Sequence, residues 1–159
     1  MSYDLARHYQ KMLRAFERLK RISTGYGPDM ETERPRDMAE EFFIAAHHML
    51  DYLRRDPSLK HLGEIAARYA AANQALQIAA LIANTTKHAG PDRKGKVGQV
   101  DAINQHYNLD TEHMDWSAQV EITVSGKRFN AFQVAKECVS AWELFLSGNQ
   151  IKLDPALDK

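Results

Sequence analysis

From Leu62 to His88 the chain reads LGEIAARYAAANQALQIAALIANTTKH, a run dominated by alanine and leucine and free of proline. Alanine loses no side-chain entropy on entering a helix and leucine loses little, so the run is expected to form one long α-helix. Its alanines let neighbouring helices approach closely, which puts it at the centre of a bundle or at a subunit interface. Ala89-Gly90-Pro91 ends it.

The flanking segments supply partners for such a helix. From Tyr3 to Ile22, Leu5, Tyr9, Met12, Leu13, Phe16, Leu19 and Ile22 recur at three- and four-residue steps and mark one stripe of an amphipathic helix. Arg7, Lys11, Arg14, Arg18 and Arg21 cover its other side, either as a solvated face or as a surface for phosphate. Gly25, Gly27 and Pro28 close that helix, and residues 23–35 read as a connecting loop.

A second helix starts near Pro35, buries Met38, Phe42, Ala45, Met49 and Leu53, and stops at Asp56-Pro57-Ser58. Glu40 and Glu41 near its start and Arg54 and Arg55 near its end complement the helix dipole. Residues 89–115 carry no clear period and are expected to be an irregular loop holding at most one short strand. Trp116 to Val124 then alternates, with Val120, Ile122 and Val124 on one face, and Ser125-Gly126 offers a two-residue turn into Lys127–Phe129. A last helix begins at Asn130 or Ala131 and ends at Ser147-Gly148-Asn149. The expected fold is mainly α: an antiparallel four-helix bundle with a small β-hairpin over 116–130 before the last helix.

The 159 residues suit one domain with one core. Lys plus Arg (21) equal Asp plus Glu (21), so any contact with nucleic acid must be local. Cys138 has no second cysteine to pair with, and its place in an apolar helical pattern reads as a small buried hydrophobe. No signal-peptide pattern opens the chain, and no run reaches the roughly 18 apolar residues of a membrane span. The expected setting is the cytoplasm, with no membrane partner.

Two clusters place polar residues in otherwise apolar helices, where burial without a partner is costly. In His47-His48-Met49-Leu50-Asp51 either histidine can share a face with the carboxylate, since the spacings to Asp51 are four and three. Such a pair either positions two helices or tunes an imidazole for acid-base work near neutral pH. In Asn84-Thr85-Thr86-Lys87-His88, Asn84 and His88 lie one turn apart with Lys87 beside them, and Asn73 and Gln77 extend the stripe backwards. Cations at a helix C-terminus also have a purely structural use. On antiparallel neighbouring helices the two clusters are expected to gather His48, Asp51, Asn84, Lys87 and His88 in one cleft. The seven histidines invite a metal reading, but there is no H-E-x-x-H and no cysteine pair. No P-loop, G-x-G-x-x-G or G-x-S-x-G occurs either, and no cofactor or metal is expected.

At these residues the chain resembles the HEPN-like helical proteins, named for the higher eukaryotes and prokaryotes nucleotide-binding domain. Their motif R-N-x-x-x-H is met at Asn84 and His88, with Ala83 in the arginine position. His48 to Leu53 followed by Ala83 to His88 is also similar to a paired signature of bacterial relatives of that group, so the resemblance spans roughly residues 38 to 90. It implies a bundle, a homodimer and metal-independent RNA cleavage. In that chemistry His88 would serve the ribose 2′-hydroxyl, Lys87 the phosphorane charge and Asn84 the phosphate, with His48, held by Asp51, as the opposite acid or base. A 2′,3′-cyclic phosphate would result. Lys87 replaces the arginine only in part, because a point charge lacks the bidentate fork. The competing reading is a non-catalytic module in which the same residues bind a nucleotide, RNA or a protein partner, or organise a dimer.

Overall fold

The computed structural model describes residues 3–25, 34–87, 100–110, 112 and 115–153. Helices dominate, as the periodicity predicts. Helix α1 (Tyr3–Ser23) buries Leu5, Met12, Leu19 and Ile22, and Gly25 follows it at φ +93°, a conformation that favours glycine. Helix α2 (Pro35–Arg55) starts with proline in its first turn, where no N–H is needed, and ends with Arg54 and Arg55 beside its exposed carbonyls. Asp56 then closes a 3₁₀ turn over Pro57–Leu62 by accepting from the Ser58 N–H (3.0 Å) and hydroxyl (2.6 Å).

The long alanine-rich helix is two helices. α3 (Gly63–Ala72) and α4 (Gln74–Lys87) meet at Asn73, whose backbone is extended (φ −103°, ψ 122°). The Asn73 side-chain oxygen accepts the Leu76 N–H (3.1 Å), an N-cap for α4, and the Gln77 amide donates to the Ala71 carbonyl across the break. Asn73 and Gln77, read from sequence as a polar stripe on one helix, are the residues that hold the bend. Propensity favours continuity, but asparagine's side chain competes for backbone donors, and here it wins.

The expected hairpin is a three-stranded antiparallel sheet in the order β1-β2-β3. β2 (Asp115–Val124) and β3 (Lys127–Asn130) form the predicted pair around Ser125 and Gly126, both at positive φ (49° and 81°) as a type I′ turn requires. β1 (Val100–Asp110) is the addition: it occupies much of the segment expected to be irregular and pairs with β2 from Val100↔Val124 to Asp110↔Asp115. From Asn104 onwards β1 is exposed, so its sequence shows no apolar alternation, and pairing with β2 holds it as a strand. On β2, Trp116, Ala118, Val120 and Ile122 are buried against the helices.

Helix α5 (Ala131–Gly148) is capped by Asn130, which accepts the Gln133 N–H (3.0 Å). α1 packs on α2 and α5, and α4 packs on the same two helices, so one core lies between the four. Bonds to α5 stitch it: the Trp142 indole donates to the Ala46 carbonyl (2.9 Å), and the Ala141 backbone carbonyl accepts from the Tyr69 hydroxyl (2.7 Å). Cys138 is fully buried as expected, its thiol directed at the Ala75 carbonyl (3.3 Å), and burial raises its pKa well above the ordinary thiol value. Among the described residues no helix is long and apolar enough to cross a membrane.

Candidate functional site

A helix turns about 100° per residue, so the adjacent histidines of α2 face different neighbours. His48 is turned towards α1, where its ring lies 6.4 Å from that of His8. His8 itself is 5% exposed, stacks on Tyr52 (4.3 Å between centroids) and directs Nε2 at the Ala45 carbonyl (2.8 Å). A carbonyl only accepts, so His8 carries its proton on Nε2. Burial pushes the His8 pKa below the ordinary 6.5, and nearby His48 and Lys11 act the same way, against the opposing pull of the Ala45 bond and Asp51. His8 was no candidate from sequence, although its positions three after Leu5 and four before Met12 place it on the buried stripe of α1.

His48 and Asp51 thus keep their expected spacing on α2, and both sit half-buried beside α1. Among the described residues the ring neighbours of His48 are His8 and His47 (6.1 Å), and no hydrogen bond joins it to Asp51. On α4, Asn84 is half-buried, Thr85 returns its hydroxyl to the Leu81 carbonyl (2.7 Å), and Ala83, in the motif's arginine position, is 5% exposed on the core side. Lys87 closes α4; its side chain and all of His88 lie outside the described residues.

His47 lines a groove on the flank of α2 towards α3 and α4. The groove measures about 750 Å³ and runs from Ala67 and Ala70 on α3, past Ile78 and Leu81 on α4, to Val124 and Lys127 on the sheet. His48, Asp51 and Asn84 do not line it. Its existence follows from the bend at Asn73 and from alanines too short to fill the corner. These alanines, expected to bring helices together, instead leave space between them.

The outer face of α1 carries Arg7, Lys11, Arg14 and Arg21, all exposed. Arg18 on the same face pairs with Glu41 of α2 at 2.6 Å, each side chain 47% exposed, so the pair adds little stability. Among the described residues no three His, Cys, Asp or Glu side chains are grouped to hold a metal ion. The chain matches no protein-family model, no curated protein and no solved structure.

Proposed function

We propose that this chain is a non-catalytic, HEPN-like cytoplasmic module that binds RNA or nucleotide phosphates, in preference to a metal-independent endoribonuclease built on the same motif. Buried Ala83 carries the reading. An arginine in that position of the motif would hold phosphate; here the position faces the core, where a guanidinium would be desolvated and unpaired. The orientation of His48 adds support, because its ring neighbour is a buried histidine on α1.

Phosphate contact in this reading falls to the exposed stripe of Arg7, Lys11, Arg14 and Arg21, the local basic surface that a chain of zero net charge needs. Asn84, half-buried on α4, adds a polar contact. The packing of α1, α2, α4 and α5 around one core suits the four-helix bundle of the resemblance, and a homodimer would bring two α4 ends within reach of one strand.

The test is a mixed pool of structured and single-stranded RNAs in EDTA, scored for cleavage and for binding against salt. Binding without cleavage is expected, unchanged by His88→Ala and weakened about tenfold by a combined Arg7→Glu, Arg14→Glu variant, with a shallower salt slope. Cyclic-phosphate products that vanish in His88→Ala would establish the nuclease instead. Absence of binding at low salt would end both readings.

A further inference from the structure

We infer that the groove between α2, α3, α4 and the β2–β3 turn is a binding site for a small amphipathic anion, an apolar body carrying a single carboxylate. This goes beyond the phosphate-binding reading, which rests on α1, on the other flank of α2.

The groove's volume of about 750 Å³ lies in the range of ligand pockets, roughly 300 to 1,000 Å³. Its walls are apolar: half-buried Leu50, Ala67, Ala70, Leu81 and Phe129 line it. The polar lining residues Gln74, Gln77, Ser125 and Lys127 are exposed and so form the rim, with half-buried His47 joining them. Among the described residues none that lines the groove is acidic, whereas Lys127 is a cation. Asp101 accepts the Gly126 N–H (2.9 Å) and does not line the groove. The charge balance of the rim therefore selects an anion.

The position of that anion is also set. The Lys127 ammonium lies 5.2 Å from the centroid of the Phe129 ring, a cation-π contact that holds it at the sheet end of the groove. A ligand whose carboxylate meets Lys127 lays its body along the alanine walls towards α3. A nucleotide suits this lining poorly, since ribose and base need donors and acceptors along their length. The polar lining side chains are confined to the rim, away from the walls along which such a ligand would lie.

Decanoate is the probe, followed by backbone amide shifts and by calorimetry, with decanol, AMP and an amphipathic helical peptide as controls. Decanoate is expected to shift Ala70, Leu81 and Val124, and decanol to bind about tenfold more weakly, a loss of about 1.4 kcal/mol. Lys127→Glu should weaken decanoate by at least about tenfold while leaving decanol unchanged. Ala71→Trp, at an exposed wall position, should block both ligands. If Ala71→Trp fails to fold, Lys127→Glu decides alone, because its side chain is exposed. The inference is overturned by unshifted groove amides at millimolar decanoate, by wild-type affinity in Lys127→Glu, or by preferential binding of AMP or the peptide. It is equally overturned by a wild-type dimer that Ala71→Trp dissociates, which would make a second copy the occupant.

Discussion

Replacing His8 tests whether the seam between α1 and α2 is held by a neutral, buried imidazole. His8→Ala removes three things: a hydrogen bond to the Ala45 carbonyl, a ring stacked on Tyr52, and the volume of a side chain that is 5% exposed. The bond contributes about 1 kcal/mol net, because the Ala45 carbonyl keeps its place in the helix ladder and is not orphaned. The stack contributes about 1 kcal/mol and the residual void about another. The expected loss is about 3 kcal/mol. His8→Phe keeps the stack and leaves no void, so it should cost about 1 kcal/mol.

The pH dependence has a definite sign. The folded-state pKa lies below the ordinary 6.5, chiefly through burial, so as pH falls the unfolded chain takes up this proton first. The stability that neutral His8 confers is complete above the unfolded value and is lost as pH drops towards the folded one. The groups that bear on it are Lys11 from its own helix and His48 and Asp51 from α2. Urea denaturation at about pH 7.5 and about pH 5.5 measures both effects, with the wild type weakening at the lower pH and His8→Phe weakening less. A His8→Ala cost under about 0.5 kcal/mol, or an undiminished pH difference in His8→Phe, would refute the reasoning.

Other substitutions probe the bend, the turn and the motif. Asn73→Ala and Asn130→Ala each remove an N-cap and should cost about 1 kcal/mol in chemical denaturation, with Asn73→Ala also altering amide exchange in the first turn of α4. Gly126→Val forces a β-branched residue to φ 81° and should cost at least about 1 kcal/mol; an unchanged melting curve would contradict the type I′ assignment. Ala83→Arg restores the motif in sequence but places a guanidinium on the core side of α4, so a loss of about 3 kcal/mol is expected with no gain of RNA cleavage. Cleavage by a fully stable Ala83→Arg protein would reverse the argument for a binding module.

The elements read correctly are those whose burial repeats along the chain. α1, α2 and α5 each show an apolar residue every three or four positions because one flank of each faces the core, and the inward residues of β2 alternate for the same reason. Ser125-Gly126 was legible because few residue pairs accept two successive positive φ angles. β1 was not legible: most of its residues are exposed, so no burial pattern marks it, and its partner strand is what makes it a strand. The bend at Asn73 was hidden by the helix propensity of the alanines on both sides.

The candidate site divides along the same line. Spacing alone determined that His48 and Asp51 lie within one turn on α2 and that Asn84 and Lys87 share α4, because local helical geometry fixes such neighbours. Which flank of α2 meets which helix depends on how amphipathic surfaces hundreds of atoms in size fit together, and no periodicity encodes that. Only tertiary packing turned His48 onto His8, gave His47 to the groove, faced Ala83 inward and left the alanines of α3 lining a space that a straight helix would have closed.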